Sequence, residues 1–142
     1  MSNGTKILVI DDDADLVETL RLVLESKGYR VCGAHDPERG MEMVKSERPD
    51  LILLDIMMPH GTEGFHFVWS LRQQPDEYSR GVPVIVLSAI HEKTGLRFYP
   101  DDGDSTYKAG EYLPVQDFVD KPVDPAQLLE RVQRVLAAWQ KK

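Results

Sequence analysis

Cysteine is almost absent from this chain: Cys32 is the only one in 142 residues. An intrachain disulfide is therefore excluded, and the apolar setting of Cys32 in VCGA reads as a small core residue. Positive charge is also scarce. With 17 Lys and Arg against 24 Asp and Glu the net charge is -7, which argues against unaided binding to nucleic acid or to an anionic membrane, since both need clustered cations. Apolar runs of membrane length are missing, and MSNGTKILVI at the amino terminus has no cleavage site, so the cytoplasm is the expected compartment. The histidines, His35, His60, His66 and His91, lack ligand spacing and read as surface or loop residues. No internal repeat or low-complexity tract is present. What remains is a chain with 42% hydrophobic residues, the size of one domain with a real core.

Four apolar runs stand out, and each ends in a residue able to handle phosphate or a divalent cation. Ile7 to Ile10 runs into Asp11, Asp12 and Asp13; Leu51 to Leu54 into Asp55; Val84 to Leu87 into Ser88; and Phe118 to Val119, two residues on, into Lys121. In an open parallel α/β sheet the strand carboxyl ends share one edge, and ligands bind in the crevice outside it. One sheet would gather carboxylates, a hydroxyl and an ammonium there. Carboxylates about 4 Å apart repel by about 1 kcal/mol in water and about 4 kcal/mol at an effective dielectric of 20, so Asp11, Asp12 and Asp55 together call for a cation. Magnesium takes oxygen ligands, keeps several waters and is held by one or two carboxylates plus a phosphate oxygen. A carboxylate can also attack phosphorus, giving an aspartyl-phosphate, and such transfer needs little beyond positioning and charge neutralisation.

Between the runs the pattern turns helical, which predicts a parallel sheet with crossover helices. Leu16, Leu20, Val23 and Leu24 recur at helical spacing, with Gly28 placed to stop that helix. Tyr29 to Ala34 reads as a strand. Asp36-Pro37 reads as N-cap and first helical position of a helix through Met41 and Val44, and Pro49 ends it. Phe65, Val68, Trp69 and Leu71 mark a further helix before Pro75. Asp124-Pro125 opens the last one, whose stripe of Leu128, Leu129, Val132, Val135, Leu136 and Trp139 fits docking on the sheet. Met41, Met43, Met57 and Met58 read as gap-fillers.

The segments ILVIDDD (Ile7 to Asp13), DLILLDIMMP (Asp50 to Pro59), VPVIVLSA (Val82 to Ala89) and DFVDKP (Asp117 to Pro122), in this order, resemble the receiver domain of two-component response regulators. The resemblance implies a doubly wound, flavodoxin-like α/β fold over residues 1–142, core 5–140, with five parallel strands in order 2-1-3-4-5 and helices on both faces. It implies that Asp55 accepts a phosphoryl group from a histidine kinase or histidine phosphotransfer protein, with Mg²⁺ held by Asp11, Asp12, Asp55 and the backbone carbonyl of Met57. Asp11 would act largely through metal-bound water. Ser88 would follow the phosphoryl group, Lys121 would be its cationic partner, Phe118 would move with Ser88, and Lys121-Pro122 would be a cis peptide. Such a domain is a switch rather than a turnover enzyme. Its output is an unidentified downstream protein or a second receiver, with no direct nucleic-acid or membrane contact.

Other readings compete. Asp near a helix start suits the dipole, and Asp13 and Asp15 are read as first-turn carboxylates. An EF-hand fails because position six is Leu16 and position twelve is Leu22. A haloacid-dehalogenase-like phosphatase would use the D-x-D of Asp11 to Asp13, but its further acidic pair is missing and Asp55 would be idle. A flavodoxin-like cofactor binder needs a Ser/Thr/Gly-rich phosphate loop where this chain has aspartates. A receiver fold that only docks, unphosphorylated, has no need of the full set of Asp11, Asp12, Asp55, Ser88 and Lys121. Two stretches depart from the receiver pattern. The loop His60 to Gly64 is one residue longer than the receiver pattern has, and residues 91–116, broken by Gly and Pro and carrying Phe98, Tyr99, Tyr107 and Tyr112, replace much of the fourth-helix region with an irregular segment.

Overall fold

In the computed structural model, residues 4–55, 63–88 and 115–140 are described. The apolar runs are strands because both of their faces are covered. Ile7 to Ile10, Leu51 to Leu54 and Val84 to Leu87 are all fully buried, as the near-continuous apolar sequence of parallel strands requires. They form β1 (Lys6–Ile10), β3 (Leu51–Asp55) and β4 (Val84–Ser88), joined by β2 (Arg30–Ala34) and β5 (Asp117–Asp120). All neighbours are parallel and the order is β2-β1-β3-β4-β5, the topology expected from the sequence.

Side-chain alternation divides the core in two. Ile7, Val9, Leu51, Leu53, Ile85, Leu87 and Val119 face α1 (Ala14–Glu25) and the last helix, α5 (Pro125–Gln140). Leu8, Ile10, Ile52, Leu54, Val84 and Val86 face α2 (Pro37–Glu47) and α3 (Glu63–Arg72). A short helix, α4 (Glu77–Gly81), precedes β4. Burying one such aliphatic side chain is worth about 1.5–3 kcal/mol, so these two layers dominate stability. The α1 stripe is rotated from the expected one. Val17, Leu20 and Leu24 are buried, whereas Leu16 and Val23 are only partly so. Two glycines allow close layer contact: a Cβ on Gly33 would sit 2.8 Å from Val17 Cγ1, and one on Gly40 2.6 Å from Ile10 Cδ1. Cys32 is half-buried against the α2 and α3 core. On α5, Leu128, Val132, Val135 and Leu136 are buried as expected; the Trp139 and Phe65 side chains, His60, His91, Met57, Met58 and the loop 60–62 lie outside the described residues.

Helix ends follow the expected chemistry. Asp36 Oδ1 accepts from Arg39 N at 2.7 Å with Pro37 opening α2. Gly28 takes φ 91 after α1, where a side chain would strain the backbone. Asp76 Oδ2 accepts from Ser79 N at 2.9 Å and Ser79 Oγ at 2.8 Å at the start of α4. The amino edge of the sheet is tied by polar contacts. Lys6 N donates to Asp50 Oδ2 at 2.9 Å and Lys6 Nζ pairs with Glu47 at 2.7 Å. Gln116 Oε1 accepts from Val84 N at 2.7 Å while Gln116 N donates to Val84 O at 2.9 Å.

Candidate functional site

Strand register brings the expected residues to one edge. Ile10 lies beside Leu54, so Asp11, the next residue, stands level with Asp55; Asp55 lies beside Leu87 and Ser88 beside Asp120, the residue before Lys121. Asp11 N donates to Ala34 O at 3.0 Å, which carries the strand-like pairing of β1 one residue past its end. Asp11, Asp12 and Asp55 then place one carboxylate oxygen each within 4.8 Å of one another. Asp11 is fully buried and Asp55 is 1% exposed, whereas Asp12 faces solvent.

Lys121 reaches this cluster from the end of β5. Its Nζ lies 3.1 Å from Asp11 Oδ2 and 3.4 Å from Asp55 Oδ1. The Lys121-Pro122 peptide that precedes α5 is cis, as the resemblance implied. Burial by itself would lower the ammonium pKa, but the Asp11 hydrogen bond and the Asp11 and Asp55 charges outweigh it and hold the pKa above the ordinary lysine value. The lysine is thus a fixed cation. The other oxygen of Asp11, Oδ1, accepts from Asp13 N at 2.9 Å. Asp13 itself caps α1, its Oδ1 accepting from Asp15 N at 3.0 Å and Leu16 N at 3.2 Å.

The donor set fits a magnesium ion. It is all carboxylate oxygen, two of its members are buried, and one ammonium offsets only part of a charge that a divalent ion would balance. Asp12 borders solvent, leaving an open side on which such an ion keeps water. Of the remaining expected residues, Ser88 is placed by its backbone at the end of β4 and Phe118 within β5 beside Val86, with side chains outside the described residues. Met57 and residues 89–114, which include most of the irregular segment, also lie outside them. The Asp13 amide was not anticipated from sequence. Its signal there was only the third acid of a triplet.

The profile for the family described as "Response regulator receiver domain" matches residues 7–133. The chain is 35% identical over 133 residues to the response regulator MprA of Mycobacterium ulcerans, covering 94% of this chain and 50% of that protein. It spans about half the length of the curated relatives it matches. A crystal structure of a putative response regulator from Chloroflexus aurantiacus superposes with TM-score 0.73 at 30% identity, covering 94% of this chain and 98% of that one. The chemotaxis response regulator CheY4 of Vibrio cholerae superposes with TM-score 0.72 at 25% identity, covering 92% and 98%. With the fold, the acidic edge and its lysine in place, this chain belongs to the response regulator receiver family.

Proposed function

We propose that residues 1–142 act as a phosphoacceptor switch in which Asp55 is the acceptor. The observation that carries this is a buried Asp55 carboxylate, 3.4 Å from Lys121 Nζ and clustered with Asp11 and Asp12 at the carboxyl edge of the sheet. The donor is a phosphohistidine on a histidine kinase or phosphotransfer protein. An Asp55 oxygen attacks phosphorus, a P–O bond forms as the P–N bond breaks, and the imidazole leaves with the electron pair and is protonated from solvent.

Asp11, Asp12, Asp55 and the Met57 carbonyl would hold Mg²⁺, which supplies charge neutralisation to the phosphoryl oxygens. Lys121, already held toward Asp55, screens the incoming negative charge. The phosphorylated carboxylate then draws the Ser88 hydroxyl and Lys121 inward, Phe118 follows, and a pre-existing equilibrium between surface arrangements shifts. A downstream protein or a second copy of this chain reads that change; the net charge of -7 makes direct DNA contact by this domain unfavourable. Among the described residues no helix is long and apolar enough to cross a membrane, and we place the switch in the cytoplasm.

Incubation with acetyl phosphate tests this reading. One base-labile phosphoryl group should be added in the presence of Mg²⁺ and none in excess EDTA. Unchanged labelling of Asp55→Asn would overturn it.

A further inference from the structure

Both oxygens of the buried Asp11 carboxylate are held from outside the acidic cluster. Lys121 Nζ approaches Oδ2 at 3.1 Å, and the backbone N–H of Asp13 donates to Oδ1 at 2.9 Å. The direction of that N–H is set by the first turn of α1. Asp13 has the extended backbone of an N-cap, φ -87 and ψ 101. Its Oδ1 accepts from the N–H groups of Asp15 and Leu16, and its carbonyl accepts from Val17 N at 3.0 Å. Helix, cap residue and buried carboxylate therefore form one chain of hydrogen bonds. The Asp13 carboxylate is exposed and is not part of the group formed by Asp11, Asp12 and Asp55.

We propose that Asp13 is a positioning residue for the cation site: its side chain caps α1, and the cap aims the backbone amide that fixes the rotation of Asp11. The inference rests on the reading of the acidic edge as a Mg²⁺ site. A carboxylate with one oxygen anchored presents the rest of the group in a single orientation, and outer hydrogen bonds of this kind govern ligand geometry at metal centres. The competing role for a third acid here is purely electrostatic, a negative charge that attracts the ion from a distance. The two roles make opposite demands on the side chain. Capping needs a short acceptor and no charge; attraction needs charge at any length.

Two substitutions separate them. Asp13→Asn keeps the cap and removes the charge, whereas Asp13→Glu keeps the charge on a side chain outside the preferred capping set. Mg²⁺ affinity measured by titration calorimetry, without phosphodonor, is expected to stay within about twofold of the parent for Asp13→Asn and to fall about tenfold for Asp13→Glu, the low end for loss of an outer-shell partner. Amide exchange at Asp13 in metal-free protein should quicken in Asp13→Glu and not in Asp13→Asn. The reverse order of affinities, or equal affinities in both variants, overturns the proposal. Asp12→Ala serves as the reference: if it fails to weaken Mg²⁺ binding the site reading itself falls, and the proposal with it. If Asp12→Ala weakens binding while Asp13→Glu does not, only the positioning role falls.

Discussion

The two ends of the sheet use the same residue types to opposite ends. At the amino edge, charges and polar groups meet in pairs. Lys6 meets Glu47 at 2.7 Å, Arg131 meets Asp117 at 2.7 Å, and Arg48 lies 3.6 Å from Asp76 and 4.1 Å above the Tyr78 ring. The Tyr78 hydroxyl donates to Pro49 O, and Arg72 Nη1 donates to Ser79 O at 3.1 Å. At the carboxyl edge, three carboxylates crowd together, two of them buried and both of these within reach of one ammonium. Where opposite charges meet in pairs near solvent, the contribution is modest local stability. Where like charges are crowded and desolvated, the fold tolerates a local cost that an incoming cation can offset.

That contrast can be broken from either side. The largest separation is expected from Asp12→Ala, which removes a charged ligand at an exposed position and should weaken Mg²⁺ by about tenfold or more, at least about 1.4 kcal/mol, with little change in thermal unfolding. Equal loss of stability and affinity would blur the two ends. At the amino edge, Gln116→Ala strips the acceptor from the buried Val84 N–H and should cost about 1–2 kcal/mol of unfolding free energy while Mg²⁺ affinity holds. Denaturant titration alongside metal titration checks both halves of that statement.

Lys121→Ala sharpens the comparison further. Removing the ammonium from Asp11 and Asp55 should leave Mg²⁺ affinity equal to or above that of the parent, while the phosphorylation-dependent change at the surface is lost; weaker Mg²⁺ binding would count against the assignment. The smallest effect concerns pH. The hydrogen bond and charge of Lys6 depress the Glu47 pKa, so this group is deprotonated more readily in the folded state than in the unfolded one. Its contribution is present above the unfolded value, about 4.3, and is lost as pH falls through the lower folded value. Glu47→Gln should therefore reduce slightly the steepness of acid destabilisation below about pH 4.3, with no change at neutral-pH Mg²⁺ binding.

Much of the carboxyl edge was legible in the sequence because its signals are local. An apolar run that ends abruptly in Asp fixes both a strand and what lies at its tip, as with Leu51 to Leu54 and Asp55. Asp36-Pro37 was readable for the same reason, since a cap and the residue it serves are three apart. The amino edge was not legible. Lys6 and Glu47 are 41 residues apart, Arg72 and Gln116 are 44 apart, and nothing in either neighbourhood marks the partner. The helix α4 was missed because five residues hold too little periodicity, although Asp76 is its cap. On α1, the choice of Val17 over Leu16 as the buried residue depends on the space above Gly33, which is a property of packed layers and not of periodicity.

The central claim is that the crowded edge exists for Asp55 to accept a phosphoryl group, and it is met most directly by locating the modified carboxylate. The parent protein is phosphorylated with Mg²⁺ and acetyl phosphate, the acyl-phosphate is trapped by hydride reduction, and the modified residue is read by peptide mass spectrometry. Reduction at Asp55 alone is the predicted result; reduction at Asp11, with Asp55 intact, would contradict the account and favour a phosphatase-like use of the first acidic run.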